Sequence, residues 1–225
     1  MILAAAVPDG FAGAVADFGA GAGAAGLAVI ARCASANTVL IEKSPQMADF
    51  ARESIGLAQN TELSRRASVL EADVSRSGDA RTRAGLADRS FDFVIMNPPF
   101  NSEADRATPD ALKKEAHVMQ AGLWDSWLRT AAAVLRPRGR MALIARPESL
   151  PEILTALEGR FGGAELMMIH PRQAGAAIRI VVRAALGSRK RLTVLPPLVL
   201  HGPTGNGFTE RADAICNGLQ SLYGD

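Results

Sequence analysis

The strongest constraint on the fold lies late in the chain. Two apolar runs, "AELMMIH" (164–170) and "AIRIVVRAAL" (177–186), are separated by only six residues, "PRQAGA". Six residues cannot hold a crossover helix, so these runs are expected to pair antiparallel as a hairpin. The earlier apolar runs follow another rule. "AVADF" (14–18), "TVLIE" (38–42), "ASVLEAD" (67–73), "FDFVIM" (91–96) and "MALIA" (141–145) alternate with stretches rich in Ala, Leu and charged helix formers. Such alternation predicts parallel strands covered by helices. The expected fold is one α/β domain over residues 1–225, with five parallel strands, an antiparallel C-terminal hairpin and helices on both faces. Leu112, Ala116, Met119, Leu123, Trp127, Ala131 and Leu135 recur at helical spacing, which predicts an amphipathic helix over 111–135 that packs Trp124 and Trp127 inward. "ARTRAG" (80–85) and "NSEADRATPD" (101–110) are polar and turn-rich and read as surface loops.

Composition removes several classes of function. With 48% hydrophobic and 21% charged residues, no basic stretch in "MILAAAVPDG" and no apolar run near the ~18 residues of a membrane span, the chain reads as soluble and cytoplasmic. Cys33 and Cys216 are too few for a disulfide framework or a zinc cluster, so both are expected to be small apolar fillers, and no metal is expected.

"VADFGAGAGAAGLAV" places a strand, an acid and a string of glycines before a helix, which lets a cofactor approach the backbone at a helix N-terminus. Two patterns fit. Gly21, Gly23 and Gly26 match G-x-G-x-x-G, with Glu42 about 20 residues onward, as in a dinucleotide site. Asp17, Gly19, Gly21 and Gly23 equally match D-x-G-x-G-x-G.

"IMNPPF" ends the fourth strand, at the edge where open α/β sheets place their reacting groups. The chemistry suits a planar amine, whose delocalised lone pair must be aimed while both amino hydrogens are held. The side-chain oxygen of Asn97 and the carbonyl of Pro98 would accept those hydrogens. Pro98 and Pro99 would keep the chain extended, and Phe100 would stack on the flat face of a base, worth ~1–3 kcal/mol.

The strand pattern, "DFGAGAGAAGLAV" and "NPPFN" together resemble the class I S-adenosylmethionine-dependent methyltransferases, with their Rossmann-like seven-stranded sheet. In detail, "MILAAAVP", "AAAVLRPRGRMALIARP" and "LPPLVLHGPTGNGFTERADAI" resemble the tRNA (adenine-N6)-methyltransferase family that modifies an adenine beside the anticodon of a valine tRNA. The resemblance implies S-adenosylmethionine as cofactor. Gly19, Ala20, Gly21 and Gly23 would pass beneath its methionine part, with Asp17 ordering the loop. Glu42, followed by Lys43, would accept the ribose hydroxyls. Asp73, beside Val74, would meet the adenine amino group, and Asn97 would border both cofactor and target. Related enzymes act on guanine N2 of ribosomal RNA or on a release-factor glutamine. Outside catalysis, an RNA-binding domain with a defective pocket is the alternative, and a nicotinamide oxidoreductase survives through the glycine degeneracy. Family members carry a longer N-terminal segment that folds over the cofactor. Only 16 residues precede Asp17, so part of that lid is expected to be missing and the pocket open.

Charge is distributed unevenly. Residues 136–191 carry ten arginines and one lysine against four glutamates, a net +7, while residues 1–135 carry −3 and the tail −2. Such asymmetry is the footprint of a polyanion partner, here RNA and in particular tRNA. Arg179 and Arg183 share a strand face and, with Arg172, Arg189, Lys190 and Arg191, are expected to form a phosphate stripe beside the active edge. His117, His170 and His201 fall on separate elements and read as hydrogen-bonding surface groups, and Asp92 reads as a strand-start hydrogen bonder.

Overall fold

The computed structural model describes residues 1–98 and 122–225. Seven strands form its sheet: β1 (Gly13–Phe18), β2 (Ala36–Glu42), β3 (Ala67–Glu71), β4 (Phe91–Met96), β5 (Leu135–Ala145), β6 (Phe161–His170) and β7 (Arg179–Leu186). Two-residue strands β8 (Thr193–Val194) and β9 (Leu198–Val199) extend it, both parallel to β6 on its outer side. The order is β3-β2-β1-β4-β5-β7-β6, with β1 to β5 parallel and β7 antiparallel between β5 and β6. The expected hairpin is present, and the seven-stranded expectation gains two short edge strands.

Helices cover both faces. On one lie α1 (Ala24–Arg32), α2 (Pro45–Gly56) and α7 (Glu210–Cys216), on the other α5 (Leu123–Val134) and α6 (Leu150–Leu157). Alternation along the strands sorts the two cores. Val15, Leu40, Phe93 and Ile95 face α1, whereas Ala16, Phe18, Val94 and Met96 face α5. Local chemistry sets the helix starts. Ser44 accepts the Met47 N–H at 3.4 Å with Pro45 in the first helical turn of α2, and Thr209 accepts the Ala212 N–H at 3.2 Å at the start of α7. A short helix α3 (Thr61–Ser64) leads into β3. Among the described residues no helix is long and apolar enough to cross a membrane.

Several local expectations change. "ARTRAG" is not a surface loop: Gly78–Arg83 forms α4, and Arg81 is buried, donating to the Leu86 carbonyl and the Asp88 carboxylate. The strand read at 141–145 begins at Leu135. Leu135 pairs with Phe91 and Arg140 with Phe93, so Arg136–Gly139 loop out opposite Asp92. Leu3–Val7 pack on α1 and the C-terminal tail. Arg32 donates to the Ala4 and Val7 carbonyls at 2.9 and 3.2 Å, and the Leu222 N–H reaches the Ala5 carbonyl.

Candidate functional site

Parallel pairing brings the predicted site residues to one edge. Phe18 lies opposite Ile41 on one side and Met96 on the other, so Gly19, Glu42 and Asn97 stand at the ends of three adjacent strands. Asp73 follows β3, whose last pair is Glu42 with Glu71. The Gly19 and Ala20 N–H groups both donate to the Ile41 carbonyl, at 2.9 and 3.1 Å, which carries the glycine loop across β2.

Three loop glycines occupy the left-handed region, at φ +65° (Gly19), +55° (Gly21) and +90° (Gly23). The Gly21 N–H donates to Glu42 Oε2 at 2.9 Å, and the Ser44 N–H to Glu42 Oε1 at 3.0 Å. Glu42 therefore joins the glycine loop to the start of α2. Behind the loop, Asp17 is 2% exposed and its Oδ2 accepts the Gly26 N–H at 2.7 Å, in the first turn of α1. A β-carbon on Gly26 would stand 2.4 Å from Leu40 Cδ2 and 3.1 Å from Asp17 Oδ2, so this glycine seats α1 against the sheet. Burial raises the Asp17 carboxyl to about 7. The Gly26 hydrogen bond pulls against that rise, and the charge of Glu42 adds to it.

Asp73 behaves differently. Its Oδ1 accepts from Ser75 N–H at 2.8 Å and Ser75 Oγ at 2.7 Å. Burial acts to raise this carboxyl, but the two Ser75 bonds, with Lys43 and Arg76 nearby, hold it below the usual carboxylate value. Lys43 is exposed and Val74 buried. Asn97 is exposed and Pro98 buried; Pro99, Phe100, His117 and residues 101–121 in general lie outside the described residues.

The basic residues do not form one stripe. Arg179 stands at the same sheet edge as Asn97, level with Ile169 of β6. Arg183 lies mid-sheet opposite Ala142, 4% exposed, so the shared face is not solvated there. It donates to Glu165 at 2.8 Å and to Asp225 at 2.8 Å and lies 3.9 Å over the Tyr223 ring. That guanidinium anchors the C-terminal tail and has no face to offer phosphate. Arg189, Lys190 and Arg191 follow β7 at the opposite, amino-terminal edge, because β7 runs against β5. Arg172 ties the hairpin loop to the carbonyls of Gly202 and Gly205. His170 and His201 bond to the Gly175 and Gly207 carbonyls at 2.7 and 3.2 Å, and Asp92 accepts the Ala14 N–H at 2.9 Å while pairing with Arg136. Trp127, expected to pack inward, also bounds the loop: a β-carbon on Gly19 would stand 2.7 Å from its Cη2. Its helical spacing signalled burial but not that neighbour. Among the described residues no group of three metal-ligating side chains converges.

Comparison with known proteins places this geometry. The methyltransferase small domain family model matches residues 1–172. A predicted O-methyltransferase from Agrobacterium tumefaciens is 43% identical in its crystal structure, with a TM-score of 0.86, covering 98% of this chain and 96% of that one. The TYW2 protein of M. jannaschii, solved in complex with AdoMet, shares the fold at 16% identity and a TM-score of 0.53, over 81% of this chain and 72% of that one. A release factor glutamine methyltransferase from Caulobacter vibrioides is 35% identical over 95 residues, which are 42% of this chain and 29% of that protein. The match thus spans under a third of that curated relative.

Proposed function

The chain belongs to the methyltransferase small domain family, and from that premise we propose that it methylates the exocyclic N6 amine of an adenine in RNA, with tRNA as the RNA. It is an S-adenosylmethionine-dependent methyltransferase of the class I fold. The described residues suit that cofactor. Glu42 uses two of its roughly four acceptor positions on backbone N–H groups and keeps the rest for a ribose diol. Asp73, held ionised, is an acceptor only and suits an adenine amino group. When bound, the cofactor supplies an electrophilic methyl group.

The observation that carries a planar nitrogen as acceptor is the placement of Asn97. It is exposed at the end of β4, level with Gly19, and is followed by the buried Pro98. In this reading the Asn97 amide oxygen and the Pro98 carbonyl accept the two amino hydrogens. They hold the plane of the amine and stabilise the positive charge that develops on nitrogen. Phe100 supplies a stacking face for the base. Lys43, Arg76, Arg172 and Arg179 place positive charge at this edge, which suits a phosphate-bearing substrate.

A glutamine amide is the second reading, favoured by the local identity to the release factor glutamine methyltransferase. Both acceptors are planar nitrogens that need the same two hydrogen-bond acceptors. Transfer of label from methyl-labelled S-adenosylmethionine to unmodified total tRNA, run beside release factors, separates them. Label recovered as N6-methyladenosine supports the first reading. Label on a glutamine side chain, or on a hydroxyl group as the name of the Agrobacterium protein suggests for that protein, overturns it.

A further inference from the structure

Two adjoining clefts, of about 570 and 510 Å³, run along the amino-terminal edge of the sheet and share Arg138, Leu186 and Gly187. This edge is remote from Asn97: the six residues of β4 separate them by ~20 Å at 3.3 Å per residue. Arg89 and Arg138 line the first cleft together with Asp88, which is paired to Arg81. Arg138, Arg140 and Lys190 line the second together with Glu165, Arg183 and Asp225, which pair with one another. Arg140 lies 3.6 Å from Asp225. For Arg89, Arg138 and Lys190 no carboxylate among the described residues stands within ion-pair distance. Arg189 and Arg191 flank Lys190 in the chain and are exposed.

The backbone presents these charges at a cost. Arg89 (φ +50°) and Arg138 (φ +67°) are the non-glycine residues with positive φ among those described, and both line the same cleft. Long side chains are uncommon in that region, and strained conformations concentrate at functional sites. Each is held from both sides. Arg138 tips the four-residue loop between the Leu135–Phe91 and Arg140–Phe93 pairs, and Arg136 of that loop is fastened to Asp92 at 2.7 and 2.8 Å. The Arg89 and Ser90 N–H groups are fixed on the Ala133 and Val134 carbonyls at 3.1 and 2.8 Å. Lys190 is set by the Gly163 N–H on its carbonyl at 2.8 Å and by Ser188 Oγ on its N–H at 3.2 Å.

We propose that this groove is a docking site for the phosphate backbone of RNA, built from Arg89, Arg138, Arg140 and Lys190 and separate from the catalytic edge. The inference rests on the RNA reading above and extends it. A structured RNA, whose backbone extends well beyond the ~20 Å between the two edges, reaches both where a very short oligonucleotide does not. Contacts of this kind fix register and affinity without reading sequence.

The test uses the full chain carrying Arg89→Gly, Arg138→Gly and Lys190→Gln. Glycine relieves the positive φ at the first two positions, so the variant is expected to fold at least as well as the parent, which thermal unfolding checks. Binding of unmodified tRNA transcript is titrated between ~50 and ~200 mM salt, with S-adenosylhomocysteine titrated in parallel. The expected result is a tRNA Kd raised at least ~10-fold and a log K against log salt slope shallower by about 2 to 3, with S-adenosylhomocysteine affinity unchanged. Unchanged tRNA affinity and slope overturn the proposal. Absence of tRNA binding by the parent also overturns it, whereas methylation of a short adenosine-containing oligonucleotide would then leave the amine reading standing. Groove-dependent tRNA binding by a parent that methylates only glutamine supports the docking site and removes the adenine assignment.

Discussion

The indole of Trp127 fills the space that a side chain on Gly19 would need: a β-carbon there would lie 2.7 Å from Cη2. Trp127 is 7% exposed, packs edge-on against Phe18 with centroids 6.4 Å apart, and belongs to the core between α5 and the sheet. The position of the glycine loop is therefore coupled to core packing. Gly19→Ala combines a left-handed φ of +65° with that overlap. It is expected to destabilise the fold by ~2–4 kcal/mol and to weaken S-adenosylhomocysteine binding. Urea unfolding and calorimetric titration read the two effects, and a variant that matches the parent in both would remove the coupling.

Asp17 gives the protein a pH dependence of a particular sign. Its folded-state pKa of about 7 lies above the ordinary 3.8, so between those values the native chain holds a proton that the unfolded chain has released. Stability contributed by this group is fully present below about 3.8 and is lost as pH rises through about 7. Asp17→Asn keeps an acceptor for the Gly26 N–H without the charge. Measured from pH 5 to pH 8, the parent should lose stability relative to Asp17→Asn by an amount on the order of a few kcal/mol. Parallel stability curves for the two proteins would contradict the assignment.

Asn97→Ala is expected to reduce methyl transfer by at least ~100-fold, the scale for losing a hydrogen-bonding group aimed at developing charge. Cofactor affinity should change little, since Glu42 and Asp73 remain. Loss of S-adenosylhomocysteine binding in this variant would move Asn97 from the acceptor to the cofactor.

Arg183→Met tests the buried guanidinium. Glu165 and Asp225 lose their shared partner, but both carboxylates are partly exposed and can take up water, so the expected loss is ~2–3 kcal/mol. Burial acts to lower the Arg183 pKa, but the hydrogen bonds it donates to Asp225 and Glu165 outweigh it and keep it charged. Its removal should loosen the C-terminal tail, read as faster amide exchange at Leu222. Exchange at Leu222 that matches the parent would remove Arg183 as the anchor of the tail.

Much of this architecture was legible in the chain. Strand alternation, the six-residue hairpin link and the period within α5 are local signals, since side-chain direction follows from spacing along one element. The helix expected over 111–135 is nonetheless seen from Leu123 to Val134, with Gly122 left-handed before it and Leu135 already in β5. The adjacency of Gly19, Glu42 and Asn97 followed from the rule that parallel strands deliver their ends to one edge. The errors arose where a residue's neighbour comes from elsewhere. "ARTRAG" looked polar enough for a loop, but Arg81 finds Leu86 and Asp88 and is buried within a helix.

The basic half shows the division best. The sequence by itself determined how much positive charge lies between residues 136 and 191 and that Arg179 and Arg183 share a face. Only the tertiary structure decided where that charge acts. The reversed direction of β7 carries Arg189–Arg191 to the edge opposite Asn97, and Asp225, distant in sequence, neutralises Arg183 inside the molecule. Charge count is a property of composition, whereas electrostatic function depends on desolvation and on long-range neighbours, which only the packed chain specifies.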